Sequence, residues 1–224
     1  MQVEMPQHGS SALSENEDLP MLRLAWYFLV MQAIVIGLYP LMFLLTDMND
    51  GLLSTKPTTL LENQAWQFFF NLHIISGGLA LLIGWSQFST GIRRRWIAFH
   101  RCIGRVYLVA VLLSGCSGLF IARDATGGLV ASLGFSSLAI CWLGLTGMGY
   151  YAVRQRRIAS HQGWMIRSYC VTCAAVTLRL WIPLFSLLGI EFSVAYPIIS
   201  WLSWVPNLLV AEWLVRLHAD TTHR

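Results

Sequence analysis

Charged residues are scarce in this sequence. Of its 224 residues, only 12% are Asp, Glu, Lys or Arg, whereas 56% are hydrophobic, and the mean hydropathy is +0.58. Roughly a quarter of the residues in soluble domains are charged, so this composition excludes an ordinary soluble domain and predicts an all-α polytopic membrane bundle. The formal net charge of +4 does not indicate nucleic-acid binding, because nearly all the arginines flank apolar segments, where basic residues set membrane orientation.

Several catalytic motifs are also missing. The sequence has no nucleotide-binding glycine loop, no zinc motif with several close ligands and no nucleophile elbow, which argues against an energised transporter or a hydrolase. Its cysteines fall within apolar segments or at their ends, so no external disulfide is expected. Cys170 and Cys173 have the spacing of a Cys-x-x-Cys motif, but inside an apolar helix we interpret them as small packing residues.

Six apolar segments are each long enough to cross a hydrocarbon core of about 30 Å as a helix, which takes about twenty residues. They cover residues 22–45, 65–88, 104–122, 129–153, 164–189 and 193–217. One transmembrane bundle is therefore predicted over residues 21–218. Residues 1–20 lack the basic start and cleavage site of a signal peptide and are predicted to form a disordered tail, and residues 219–224 are predicted to form a second, short tail.

Arginines are unevenly distributed among the connections between these segments. Five lie at the connection between the second and third segments and four at the connection between the fourth and fifth, while the alternate connections hold few basic residues. By the positive-inside rule, both basic connections and both termini are predicted to be cytoplasmic. The connection over residues 46–64 is then the longest external segment.

One basic motif occurs twice. It lies at residues 93–107 and, in a degenerate form, at residues 154–169. The matching pairs are His100 with His161, Arg105 with Arg167, and Tyr107 with Tyr169. Each copy joins two apolar segments, so the hairpins 65–122 and 129–189 are predicted to be repeats related by a pseudo-twofold axis along the membrane normal. This symmetry predicts that the two histidines lie at the same depth.

If the two hairpins pack together, the paired histidines could form the site that a bis-histidine haem b requires. The haem propionates would then pair with nearby arginines, which are Arg101, Arg105, Arg157 and Arg167. The same groups would also suit another anion. Alternatively, they serve only topology and contact with anionic lipid, with His100 and His161 hydrogen-bonded to headgroups or loop carbonyls.

Two further ionisable residues, His73 and Arg179, fall deep within the second and fifth segments. Counting about 1.5 Å per residue, they lie roughly 12 Å and 15 Å from the external ends of those segments, so they could share one level. A buried arginine requires a polar cavity, a carboxylate or an anionic ligand, and no Asp or Glu is predicted at that depth. Gln32, Gln87 and the backbone carbonyls freed by Pro183 are the obvious internal partners, with Gln32 predicted to line the cavity. An arginine held by carbonyls and water for packing alone is the alternative.

The sequences of the two histidine motifs carry a family resemblance. The segments HRCIGRVY at 100–107 and HQGWMIRSY at 161–169, preceded by His73 and followed by Arg179, resemble a bacterial family of multi-pass membrane proteins known only as a domain of unknown function. The resemblance covers about residues 65 to 185 and implies a location in the bacterial inner membrane, but no activity.

This chain departs from the family pattern at Gln162, where the family usually has a basic residue, so hypotheses that need a charge there are weakened. The layout also resembles, more distantly, the di-haem cytochrome b membrane proteins. Those need two histidine pairs, and the repeat partner of His73 is Gly134, so a second haem would lack a ligand.

Three functions remain open at this point. The first is a redox protein that holds one haem b between His100 and His161 and exchanges electrons with a quinone near His73 and Arg179. The second is a non-enzymatic binder or transporter, in which His73, Arg179 and Gln32 line a cavity for an anionic solute or lipid. The third is an accessory subunit that contacts lipid, a second copy of itself or another membrane protein.

Overall fold

The computed structural model describes the backbone of residues 11–44 and 51–222 and the side chains of residues 24–41 and 53–217. Within these ranges the regular elements are all helices, which confirms the predicted fold class. The α-helices are α1 (Ser11–Gly37), α2 (Thr58–Leu61), α3 (Gln64–Gly84), α4 (Thr90–Arg95), α5 (Ile97–Ala122), α6 (Gly128–Arg154), α7 (Ile158–Thr172), α8 (Ala174–Leu187), α9 (Phe192–Leu202) and α10 (Val205–Thr222). Short 3-10 helices cover Tyr39–Leu44, Gly51–Thr55 and Trp85–Phe88.

In the described part of the chain, six helical segments are long and apolar enough to span a membrane, as predicted. They are Leu24–Leu41, Gln64–Phe88, Ile97–Ala122, Gly128–Arg154, Ile158–Leu187 and Phe192–Leu217. The third and fifth begin six or seven residues earlier than predicted, so each histidine motif lies inside the first turns of a helix. Their arginines do not prevent this, because a long arginine side chain can keep its charge at the surface while its stem covers apolar residues.

The terminal helices extend beyond the predicted bundle. Helix α1 begins at Ser11, so residues 11–20, which were predicted to belong to a disordered tail, are helical, and residues 1–10 of that tail lie outside the described residues. Helix α10 continues to Thr222, into the predicted second tail. Once a helix is nucleated, each added residue contributes a hydrogen bond, so apolar patterning alone underestimates the length of helices that leave the membrane.

The two predicted hairpins form the centre of the bundle. Helix α3 packs against α5 and α7, and α6 packs against the same two helices from the other side. Helix α1 covers α3 and α8, α9 covers α6 and α8, and α10 covers α7. The two ends of the bundle differ in composition. The basic end holds the histidine motifs, and the loop end holds residues 51–63 and the connections α5–α6 and α8–α9.

The repeated tyrosines lie at the centre of the bundle. Tyr107 is 1% exposed, and its hydroxyl hydrogen-bonds to Ser168 (2.9 Å) and Thr172 (2.8 Å). Tyr169 is 4% exposed and donates to the carbonyl of Leu81 (3.2 Å). Both rings press against Gly84 of α3, where helix backbones and rings approach as closely as small residues permit.

The fifth and sixth spans are each interrupted within the bundle. The fifth breaks at Cys173, between α7 and α8, and the sixth breaks at Ser203, between α9 and α10. The two breaks are joined, because the Asn207 side chain donates to the Cys170 carbonyl (3.1 Å) and to the Thr177 hydroxyl (3.2 Å), while that hydroxyl donates to the Ser203 carbonyl. Side-chain partners of this kind allow irregular backbone inside a membrane protein.

Proline accounts for one of these breaks. Pro206 lies in the first turn of α10, where a residue without an N–H is tolerated, and it cannot donate to the carbonyl of Leu202. That carbonyl instead accepts a hydrogen bond from the Trp181 indole (3.1 Å). Pro183 and Pro197 lie inside α8 and α9, so a proline in the sequence does not by itself locate a break.

Candidate functional site

A cavity of about 400 Å³ lies between the helices in the half of the bundle nearer the loop end. Its lining comes from α3, α5, α6, α7, α8 and α9, together with Tyr39 and the loop of residues 51–63. Most lining side chains are apolar or aromatic. The polar ones are Tyr39, Lys56, His73, Ser114, Thr172, Arg179 and Tyr196. This size and this mixture of many apolar and few polar groups are typical of small-molecule sites.

His73 on α3 is fixed by helix α5. Its Nδ1 lies 2.8 Å from the carbonyl oxygen of Ser114, and the Ser114 hydroxyl donates to the carbonyl oxygen of His73 (3.0 Å). Gly118, one turn further along α5, leaves room for the imidazole, because a Cβ there would lie 3.0 Å from Nδ1. Packing and hydrogen bonding therefore hold the ring in one orientation at the cavity wall.

Arg179 on α8 faces the same cavity. Its Nη1 donates to the carbonyl of Ala175 (2.9 Å), one turn back on the same helix, and its guanidinium lies 4.8 Å from the centre of the Tyr39 ring. It interacts electrostatically with His73 and Tyr196. In the described residues no carboxylate pairs with it. The structure thus brings the two deep ionisable residues together, with carbonyl and aromatic partners for the cation.

The loop of residues 51–63 closes the cavity at the loop end. Leu53 is 1% exposed and packs with Trp66 and Phe70 of α3. The Lys56 ammonium donates to the carbonyl of Asp124, and the Thr55 hydroxyl shares a hydrogen bond with that of Thr126 (3.0 Å). Burial lowers the pKa of Lys56, while the nearby Asp124 raises it.

The charge of the lining has one sign. Lys56 and Arg179 are its two cationic side chains, and in the described part of the chain no Asp or Glu belongs to the lining. Among the described residues, Asp124 lies near Lys56 and offsets part of its charge, whereas no carboxylate pairs with Arg179. The positive potential of the cavity is therefore centred on Arg179 and is strong there, because the surrounding dielectric is low. The cavity is therefore suited to an anion with an apolar part.

The predicted cavity residue Gln32 is not brought to this site. It is half-buried on α1 and is not among the lining residues. The aromatic residue that α1 and the following turn contribute is Tyr39, beneath the Arg179 guanidinium. Depth along a helix can be counted from sequence, but the face that a side chain occupies cannot, because the spanning part of α1, residues 24–37, is apolar on nearly all sides.

The two motif histidines, His100 and His161, lie near each other at the basic end. Both are half-buried in the first turns of α5 and α7, and they are near enough to interact electrostatically. The Nδ1 atom of His161 lies 2.8 Å from the carbonyl of Gly149 on α6. The Nδ1 atom of His100 is buried and has no hydrogen-bond partner among the described residues. The repeat thus places both histidines at one end of the bundle, with different environments.

The arginines around these histidines have two kinds of environment. Arg101, Arg105 and Arg157 are exposed. Arg167 instead forms a two-pronged ion pair with Glu212 of α10, with Nε to Oε1 at 2.6 Å and Nη2 to Oε2 at 2.9 Å. Its guanidinium also lies 4.9 Å from the Trp164 ring. Arg167 is therefore already neutralised by a carboxylate, which disfavours the predicted role beside a propionate.

Family comparison gives the chain its place among known proteins. Residues 70–215 match the family described as Predicted membrane protein (DUF2306). The chain belongs to this family. The matched region includes His73, Arg179 and both histidine motifs, and it confirms the resemblance seen in the sequence. We found no significant match to a curated protein or to a solved structure.

The second hairpin of this DUF2306 protein has no equivalent of His73. The repeat position is Gly134 on α6, and α9 packs directly on it, because a Cβ there would lie 2.9 Å from Ser200 Cβ and 3.0 Å from the Trp201 indole nitrogen. The described residues contain no group of three or more His, Cys, Asp or Glu side chains that could hold a metal. The predicted repeat therefore does not extend to this position, where the sixth span packs directly on the second hairpin.

Lys56 was not predicted from the sequence as a site residue, although one signal was present. It is the single lysine of the chain and lies in a connection that otherwise carries only acidic charges. Its place in the cavity lining depends on the fold of the loop over α3 and on the carbonyl of Asp124, which is 68 positions away. Ser114 and Tyr196 gave no signal, since a lone serine or tyrosine in an apolar span is common.

Proposed function

We propose that this DUF2306 protein binds an anionic amphiphile, a lipid or lipid-like solute. The binding site is the cavity of about 400 Å³ lined by its second to sixth spans. The observation that carries the proposal is Arg179, a deep guanidinium at the wall of a mostly apolar cavity, with no carboxylate partner among the described residues. A second cation, Lys56, lies in the same lining.

A cation at the depth of Arg179 is expensive unless it is paired, and the Ala175 carbonyl with the Tyr39 ring compensates it only in part. An anionic head group would supply the missing counter-charge, and its apolar chain would fill the space between the aromatic and aliphatic side chains. The same cavity offers little to a cation, because Lys56 and Arg179 would both repel it.

Laurate binding to the purified protein in neutral detergent tests this proposal, with dodecyltrimethylammonium as the ligand of opposite charge. Arg179→Leu should weaken laurate binding by at least tenfold, since a desolvated charge pair contributes more than about 1.4 kcal/mol. Arg154→Leu, at the exposed end of α6, should leave binding unchanged. Arg179→Gln, which keeps a polar group, serves if the leucine variant does not fold.

Two results would refute the amphiphile site. One is equal affinity of the wild-type protein for laurate and for the ammonium amphiphile, because the cavity would then have no charge preference. The other is unchanged laurate affinity in both Arg179 variants, because the charge would then act in packing alone.

The basic end supports a second candidate function, the binding of one haem b. A hydrogen bond from a ring nitrogen to a carbonyl, as His161 Nδ1 makes with Gly149, is the usual second contact of a metal-ligating histidine, and it leaves Nε2 for the metal. His100 lies close by. His100 and His161 would hold the iron, exposed Arg101, Arg105 and Arg157 are available to propionates, and the haem would supply one-electron chemistry.

Protein produced with ample haem should then show the sharp Soret and visible bands of a low-spin bis-histidine centre. His100→Ala or His161→Ala should remove or convert that spectrum, and His73→Ala should preserve it. A folded, colourless wild-type protein would exclude the haem function and leave the cavity proposal intact.

A further inference from the structure

The tautomer of His73 is determined by its partners on α5. The Ser114 carbonyl oxygen, 2.8 Å from Nδ1, can only accept a hydrogen bond. The Ser114 hydroxyl donates its hydrogen to the His73 carbonyl (3.0 Å), so towards Nδ1, at 3.2 Å, it too presents an acceptor. Nδ1 must therefore carry the hydrogen.

The remaining ring nitrogen is then an acceptor. None of the hydrogen bonds among the described residues uses Nε2 of His73, and Nδ1 is committed to α5, so Nε2 is the nitrogen that His73 can offer to a ligand. A doubly protonated ring would add a third positive charge to a lining that already holds Lys56 and Arg179. The neutral ring, with a lone pair on Nε2, is the form that this cavity favours.

We infer that the ligand head group carries both an anionic oxygen for Arg179 and an O–H donor for His73. This inference rests on the proposed function, and it narrows the ligand class. A singly protonated phosphoryl group on an apolar chain meets both requirements, because it has charged oxygens and one P–OH. A sulfonate meets only the first, and a fully ionised carboxylate likewise has no hydrogen to donate.

Two amphiphiles with matched chains distinguish the requirement for an anionic oxygen from the requirement for an O–H donor. Dodecylphosphonate in its singly protonated form and dodecylsulfonate have the same chain, the same charge and similar head-group size, but only the phosphonate has an O–H. The wild-type protein in neutral detergent should bind the phosphonate about tenfold more tightly by calorimetry, which is the effect of one hydrogen bond to a well-placed partner.

His73→Asn is the variant that isolates the acceptor. An asparagine amide nitrogen can replace Nδ1 as donor to the Ser114 carbonyl, but asparagine has no atom at the position of Nε2. This variant should bind both ligands with the affinity that the wild-type protein has for the sulfonate. The control is Ser86→Ala, near the basic end of the second span and outside the cavity lining, which likewise removes a side-chain hydrogen bond to a backbone carbonyl, that of Ile83 at 2.6 Å. It should keep the tenfold preference.

The pH provides a second test, made in Lys56→Met because burial lowers the pKa of Lys56 and its titration would also change the charge of the cavity. When the phosphonate loses its last proton it becomes a dianion, which the positive cavity alone would bind more tightly. If His73 accepts the O–H, the Lys56→Met protein should instead bind the dianion more weakly than the monoanion. Tighter binding of the dianion would overturn the inference.

The results also distinguish this inference from the proposal on which it rests. Equal wild-type affinity for both ligands, with both affinities reduced by Arg179→Leu, would overturn the O–H requirement and keep the anion site. If His73→Asn still binds the phosphonate more tightly than the sulfonate, the O–H requirement is overturned as well. Failure of the wild-type protein to bind either ligand would remove both the anion site and the inference.

Discussion

Replacing Gly84 by alanine should destabilise the bundle, because two buried tyrosines leave no room for a methyl group. A Cβ at position 84 would lie 2.5 Å from Cδ2 of Tyr169 and 3.0 Å from Cε2 of Tyr107. Neither ring can easily move away. The Tyr169 hydroxyl is hydrogen-bonded to the Leu81 carbonyl, and its ring lies tilted against Phe88 with ring centres 5.4 Å apart. The Tyr107 hydroxyl is hydrogen-bonded to α7.

The expected loss of stability in Gly84→Ala follows from the close packing around this position. An additional methyl group in a filled core costs about 1–3 kcal/mol. In a chain of this size each kcal/mol corresponds to roughly 2–4 °C in melting temperature, so Gly84→Ala should melt roughly 2–12 °C below the wild-type protein. Part of this loss is offset, because alanine is favoured over glycine in a helix by up to about 1 kcal/mol.

Gly144 on α6 provides the control. A Cβ there would meet nothing within 4 Å, so Gly144→Ala should show only the gain in helix propensity and melt at or slightly above the wild-type temperature. Thermal unfolding of the purified variants in one detergent, followed by near-ultraviolet circular dichroism or by tryptophan fluorescence, measures both effects. Equal melting temperatures for the two variants would refute the steric argument.

Three further predictions concern the two ends of the bundle. A double-mutant cycle with Arg167→Met and Glu212→Gln should give a coupling free energy of about 1 kcal/mol in thermal unfolding, and a coupling near zero would show that the pair is only a surface contact. The wild-type protein should gain stability relative to Lys56→Met as the pH rises towards about 10.4, the ordinary pKa of lysine, because burial lowers the pKa of Lys56 and the unfolded chain then binds the proton more tightly. A constant or falling difference would contradict this. Reporter fusions at Arg154 and at Lys56 should lie on opposite sides of the membrane, with Arg154 cytoplasmic, and a cytoplasmic signal from both would refute the proposed orientation.

Much of the fold could be predicted from apolar patterning. A membrane core about 30 Å thick requires about twenty apolar residues per span, and this requirement located six spans in the order observed. The ends of the spans were less accurate, because helices continue beyond the apolar region. Helix α5, for example, begins at Ile97 instead of Gly104, and so includes His100.

The depth of the site residues along their helices could be predicted from the sequence, but the faces of the helices that they occupy and their partners could not. Counting residues from the span ends placed His73 and Arg179 at one level, and the structure shows them lining one cavity. The ion pair of Arg167 with Glu212 joins positions 45 residues apart, and nothing in the local sequence of either residue indicates it. Helix α1 packs against α3 and α8, and this packing determines which of its faces is turned to the cavity. As a result Gln32 is outside the lining, and Tyr39, in the turn after α1, is part of it.

The breaks in the fifth and sixth spans are coupled to each other. Thr177 of α8 donates to the Ser203 carbonyl at the second break, and Asn207 of α10 donates to Thr177 and to the Cys170 carbonyl on α7. Helices α8 and α9 also pack against each other, and the Trp181 indole donates to the Leu202 carbonyl at the end of α9, so a displacement of α8 would be transmitted to α9. Such a displacement would move Arg179 and Tyr196 together relative to His73, which stays on α3. The spacing between the Arg179 guanidinium and the His73 imidazole is therefore set by how the fifth and sixth spans are joined at their breaks, and not by α3 alone.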